Sequence, residues 1–194
     1  MRTAISMAAL VSGILLSAGA VNAQQPAAPY PLDAIPDKMP FDTPYGAPIS
    51  LERAEAAIKA AVAEATKKGW PMNVAVVDSG GNLMAFARMD RAQLASIAVS
   101  EHKARAAVTF RRPTKAFEEA IQKSGSNYVL TLDGMIGSRG GIPLIVDGKM
   151  IGAIGCSGGA GSQDEVVCSA GAATRRGWNR RVPDSWSSMR TSPT

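Results

Sequence analysis

The residues of this 194-residue chain whose types could do chemistry are the run Gly155-Cys156-Ser157-Gly158-Gly159, the one histidine His102, and the two cysteines Cys156 and Cys168. Gly-x-Ser-x-Gly after a strand is the pattern of a nucleophile elbow, in which a sharp turn exposes a serine hydroxyl. That reading lacks its partner, because the base follows the serine in such a scaffold and His102 precedes it. The same glycines admit three other roles. Successive backbone N–H groups running into a helix N-terminus can cradle a phosphate, although no Gly-Lys-Ser/Thr ending supports nucleotide hydrolysis. Gly155, Ser157, Gly158 and Gly159, with Asp164 and Glu165 beyond them, can instead wall a pocket for some other anionic ligand, or can simply make a tight strand-to-helix connection. Residue types alone leave these open.

His102 offers different chemistry. On a helix over Leu94 to Phe110, Leu94, Ile97, Ala98, Ala104 and Val108 form one apolar stripe, with His102 and Thr109 together on its flank about two turns apart. Glu101 and Arg105 fall inside that stripe at i and i+4, where they can pair. A histidine flanked by Lys103 and Arg105, with Arg111, Arg112 and Lys115 following, can ligate an iron while the cations meet carboxylates of its cofactor. The plainer alternative is a helix histidine with no ligand. Small residues nearly surround this helix, which predicts packing on more than one side and a homo-oligomer interface as well as a core. Cys156 and Cys168 permit a disulfide or two small buried thiols, and with one histidine they cannot make a standard zinc site.

The elements that must position these residues are legible in part. Ser50 is an N-cap for a helix whose apolar positions Leu51, Ala54, Ile58, Ala61, Val62 and Ala65 recur until Lys67-Lys68 and a stop at Gly69. Asn73 to Val77, a turn over Asp78-Ser79-Gly80-Gly81-Asn82, and Leu83 to Arg88 read as one hairpin. Ile142 to Gly155 reads as a second, turned at Asp147-Gly148, because Asp-Gly suits the positive φ angles of a type I′ turn. A short helix follows, capped by Ser162 or Asp164. Pro113 or Thr114 opens a further helix to about Lys123. Ser124 to Gly141 is poorly patterned, with one short strand expected around Tyr128 to Leu132. Hairpins separated by helices are not the alternating order of a parallel sheet, so the fold class expected is α+β: one mainly antiparallel sheet of about five strands flanked by helices.

Four segments are expected: a leader over 1–23, an arm over 24–49, a domain over 50–177 and a tail over 178–194. Met1 to Ala23, with Arg2, an apolar run through Leu16, and Val21 and Ala23 before Gln24, has the pattern of a cleaved secretory signal, and the run is too short to span a bilayer. This predicts a periplasmic or secreted protein with no transmembrane segment after cleavage. Losing residues 1–23 removes one basic group, so 171 residues remain with 20 Lys and Arg against 16 Asp and Glu, a net charge of about +4. Export and the lack of a recognition helix or stacking motif argue against nucleic acid as partner. Seven prolines between Pro26 and Pro48, with Tyr30, Phe41 and Tyr45 among them, predict an extended arm, read as hanging loose rather than lying on the domain. Trp178, Arg180, Arg181, Trp186 and Arg190 mark an aperiodic, solvated tail.

Asn73-Val74-Ala75-Val76-Val77-Asp78-Ser79-Gly80-Gly81-Asn82-Leu83, Lys103-Ala104-Arg105-Ala106-Ala107, Gly140-Gly141-Ile142-Pro143-Leu144, Gly155-Cys156-Ser157-Gly158-Gly159 and Gln163-Asp164-Glu165 follow one another in that order. Together they resemble the GlcG/HbpS family of haem-degrading or haem-binding proteins, to which the C-terminal domain of PduO-type proteins is related, over roughly Leu51 to Arg176. The resemblance implies a profilin- or PAS-like layout, assembly into oligomers, and haem as cofactor, either sequestered or slowly degraded. The alternative it allows is a non-catalytic accessory protein binding a small organic acid of the glycolate type at the Gly155–Glu165 loop. No ligand carries across by motif; His102 is the candidate axial ligand as the only imidazole, Thr109 a weaker oxygen ligand, and Lys103, Arg105, Arg111 and Arg112 the candidates for the propionates.

Overall fold

The computed structural model describes Ile35 and residues 37–178, of which residues 39–178 belong to one compact unit. The leader over 1–23, Tyr30 and the tail beyond Trp178 lie outside the described residues.

Ser50 accepts from the Arg53 N–H at 3.4 Å to open helix α1 (Leu51–Lys68), and Gly69, in the left-handed region, closes it. Strands β1 (Asn73–Asp78) and β2 (Leu83–Arg88) pair antiparallel across a turn in which the Asp78 carboxylate accepts from the N–H groups of Gly80 and Asn82. Helices α2 (Ala95–Thr109) and α3 (Lys115–Gln122) follow. Strands β3 (Gly141–Val146) and β4 (Lys149–Ser157) turn at Asp147-Gly148, both with positive φ, as a type I′ hairpin requires. Helix α4 (Gly161–Ala173) ends the core.

Both hairpins share one antiparallel sheet, ordered β2-β1-β4-β3, because β1 also pairs with β4. The described sheet has four strands where about five were expected. Tyr128 to Leu132, read as the extra strand, falls on a 3-10 turn (Asn127–Thr131) whose Val129 is buried while Tyr128 and Leu130 face out.

Alternation along β1 sends Val74 and Val76 to one face and Ala75 and Val77 to the other. The first face packs with Ile154 and Leu144 against Ala54, Ala57 and Ala61 of α1 and Val167 and Cys168 of α4. The second packs with Ala153 against Ala104, Ala107 and Val108 of α2. The approach of α2 is unusually close: a Cβ on Gly155 would stand 2.0 Å from the Ser100 carbonyl oxygen, and one on its cross-strand partner Gly141 would stand 2.2 Å from that of Lys103. Two glycines side by side thus form the bed of the helix.

That bed fixes how α2 is rotated, and it differs from the expected stripe. Ser96, Ser100, Lys103, Ala104 and Ala107 face inward, whereas Leu94 and Ala98 are exposed. Small size, rather than hydrophobicity, selects the sheet-facing side. The arm also departs from expectation over its described part. Pro44 and Gly46 bond to Met150 and Ile49 to Ile151, so residues 44–49 run beside β4, and the Tyr45 hydroxyl donates to the carbonyls of Val108 and Thr109 at the end of α2. Cys156 and Cys168 are joined in a disulfide that ties β4 to α4.

Candidate functional site

The run after β4 is shorter than its glycines imply, since β4 continues to Ser157 and α4 begins at Gly161. Gly155 lies beneath α2, Ser157 is buried, and a Cβ on Gly158 would meet the Pro71 carbonyl. The exposed amides are already used. The Gly159 N–H donates to Asp164 Oδ1 at 3.1 Å and the Ala160 N–H donates to Gln163 Oε1 at 2.9 Å. Asp164 therefore caps the turn ahead of its helix, where Ser162 or Asp164 was expected as the N-cap residue itself; Ala160 holds that position. Two of the donors of this run are thus taken by side chains of its own helix.

Lys103 lies under α2 and not on its outer flank. Its Nζ is 2.7 Å from Asp164 Oδ2, and both side chains are almost inaccessible. A cation so enclosed cannot meet the carboxylate of a bound molecule, which corrects its expected role. Around this pair the surface carries a charged network. Arg139 binds Glu118 through its side chain and its own N–H, and reaches Glu165, which also pairs with Lys115. Burial, the largest single influence on Glu118, raises its pKa, but the Arg139 hydrogen bonds together with the charges of Arg139 and Lys103 hold it below the ordinary carboxylate value.

His102 sits on the exposed side of α2, half-buried, with Nε2 3.2 Å from the Gly134 carbonyl oxygen. A carbonyl only accepts, so Nε2 carries the proton in this contact, and in the neutral ring Nδ1 is the nitrogen with the free lone pair. The loop that provides Gly134 follows Tyr128, Leu130 and Leu132, which are 50%, 59% and 38% exposed. Arg105, one turn along, pairs with Glu101 at 2.8 Å at the surface, as their spacing predicts. Thr109 is exposed at the far end of α2, beside Arg111, whose guanidinium lies 5.7 Å from the centroid of the Tyr45 ring and reaches the Thr43 carbonyl. Arg112 is differently placed: Phe41, at 3.4 Å, and Phe117, at 4.9 Å, enclose it, and burial lowers its pKa. Its task is to hold the arm. The structure thus brings His102 near Arg105 and Thr109 near Arg111, and sets Lys103 and Arg112 apart from both.

One cavity escaped sequence reasoning. A hollow of about 570 Å³ lies where α1, the end of β2 and the following turn meet, lined by residues including Trp70, Pro71, Arg88 and Arg91. It is lined by none of the candidate site residues read from the sequence, and the signal for it, two arginines around a strand end near a tryptophan, is visible only once β2 packs against α1.

A four-stranded antiparallel sheet with α2 on one face and α1 and α4 on the other defines an α+β protein. The chain belongs to the haem degrading protein HbpS-like family, whose family model matches residues 49–173. Protein GlcG of Escherichia coli K12 is 41% identical over 109 residues, 56% of this chain and 81% of the relative. Among solved structures, a double mutant of HbpS from Streptomyces reticuli superposes with a TM-score of 0.62 at 30% identity, covering 73% of this chain and 96% of that one. The PduOC:heme complex superposes at 0.59 and 28% identity, covering 65% and 94%.

Proposed function

We propose that this protein binds haem on the outer flank of α2, and that it is exported and sequesters haem outside the cytoplasm. The observation that carries the reading is the bond from His102 Nε2–H to the Gly134 carbonyl. Histidines that ligate a metal generally donate their other ring N–H to such a carbonyl, which fixes the tautomer and aims the free nitrogen. Among the described residues no cluster of three His, Cys, Asp or Glu could hold a bare metal ion, whereas a porphyrin iron asks for only one axial protein ligand. The fit is consistent: His102 Nδ1 would hold the iron, exposed Leu130 and Leu132 would cover apolar porphyrin surface, and Arg105 and Arg111 would meet the propionates. When bound, haem supplies a redox-active iron; the chain's own residues bind it, orient it and limit its exposure to water. Thr109 lies about 10 Å further along the helix axis, so it is an alternative to His102 and not a second ligand to the same iron.

The PduOC:heme complex supports the reading by likeness of fold, and the leader-like residues 1–23 support export. Copies are also expected to self-associate, since Leu94, Tyr128 and Leu130 leave apolar side chains exposed. Haemin titrations of the native chain, His102→Ala and Thr109→Val test the site. The expected result is a Soret band altered in position and affinity by His102→Ala and unchanged by Thr109→Val. An unchanged band in His102→Ala removes the imidazole ligand, and loss in Thr109→Val transfers the role to the hydroxyl.

A further inference from the structure

Six arginines whose side chains are described have partners for their guanidinium groups: Arg53 on Trp178, Arg105 on Glu101, Arg111 on Tyr45, Arg112 among phenylalanines, Arg139 on Glu118 and Arg175 on the Pro143 carbonyl. Arg88 and Arg91 are the exceptions among the described residues, and both line the 570 Å³ cavity. Arg91 stands at φ 64°, a conformation L side chains rarely adopt, in a turn closed by the Ala92 N–H to the Met89 carbonyl at 3.1 Å. Glycine would sit there without strain, so the turn itself does not require an arginine, and strain held at a cavity wall is a mark of function.

The other walls define what those cations would meet. Trp70 and Pro71 line the cavity together with the apolar side chains of Val62 and Ala87. Lys68 Nζ lies 5.9 Å from the centroid of the Trp70 ring. Asp90 is the one carboxylate on the lining, so with Arg88 and Arg91 the lining carries one net positive charge. Guanidinium groups select a carboxylate by planar, paired hydrogen bonds, and an indole selects a flat apolar body.

We propose that this cavity binds a small planar carboxylic acid, its ring against Trp70 and its carboxylate on Arg88 and Arg91. The site is separate from the flank of α2 and does not rest on the haem reading, since His102, Thr109, Arg105 and Arg111 do not line it. Benzoate, with benzamide as its uncharged counterpart, is the probe, followed by tryptophan fluorescence and thermal midpoint on the full chain. Benzoate is expected to give a saturable change with a Kd in the millimolar range or tighter and to raise the midpoint, and benzamide to bind at least about tenfold more weakly. Trp70→Phe should abolish the fluorescence change. Arg88→Ala and Arg91→Gly should each weaken benzoate by about tenfold. Arg91→Gly should do so without lowering the midpoint, which separates a ligand contact from a structural one, and the haemin spectrum of both variants should match the native one. No saturable response, equal binding of benzamide, a response that survives in Trp70→Phe, or native affinity in both arginine variants would overturn the proposal.

Discussion

Lys103 and Asp164 face one another inside the protein at 2.7 Å, and what either does depends on the other. Removing one partner of such a pair leaves a buried charge unmatched, so Lys103→Met should cost about 3–5 kcal/mol, read as a drop in urea midpoint, while a double variant with Asp164→Leu should recover most of it. Equal losses in the single and double variants would show that the cost does not come from the unmatched charge. Gly155→Ala tests the bed of α2: a methyl 2.0 Å from the Ser100 carbonyl must push the helix away, at a cost of about 1–3 kcal/mol or more by chemical denaturation. Glu118 gives the pH dependence. Its folded pKa is held below the ordinary value, so its contribution is fully present above the unfolded pKa of about 4.3 and is lost as pH falls through the lower folded value. Thermal midpoints measured from pH 6 downward should therefore fall less steeply in Glu118→Gln than in the native chain, a window set by that carboxylate reference value. From residue types, Lys103 read as one more cation beside His102. Only the rotation of α2, set by glycines on other strands, turns it inward.

Elements with local signals were legible: the Ser50 cap, the Gly69 stop and the Asp147-Gly148 turn all stand where the sequence placed them. What failed was non-local. The strand expected around Tyr128 to Leu132 falls on a 3-10 turn, and the stripe expected on α2 differs because at Gly155 and Gly141 the helix meets bare backbone. The arm was read from prolines as loose, yet Phe41 and Tyr45 fasten residues 41–49 to the domain through Arg112 and the end of α2. Tyr45→Phe removes the donor to those carbonyls and should cost about 1 kcal/mol by denaturant melt, with faster hydrogen exchange confined to the arm and the end of α2. The Cys156–Cys168 bond closes a 12-residue separation between β4 and α4, and its reduction under denaturing conditions should lower stability by about 2–4 kcal/mol.

For the whole molecule, the candidate site was legible in its parts and not in its assembly. The Glu101–Arg105 pair forms as its spacing implied, but at the surface beside His102 and not inside the apolar stripe, and the cavity beside Trp70 had no linear signature. Self-association through exposed Leu94, Tyr128 and Leu130 predicts a particle heavier than one chain by light scattering, and Leu94→Asp with Leu130→Asp should shift it toward the monomer. The central claim is that the outer face of α2 takes haem. Titrating the purified native protein with haemin tests it most directly: a saturating Soret shift at a fixed stoichiometry per chain is the result expected, and a spectrum identical to haemin in buffer would contradict it.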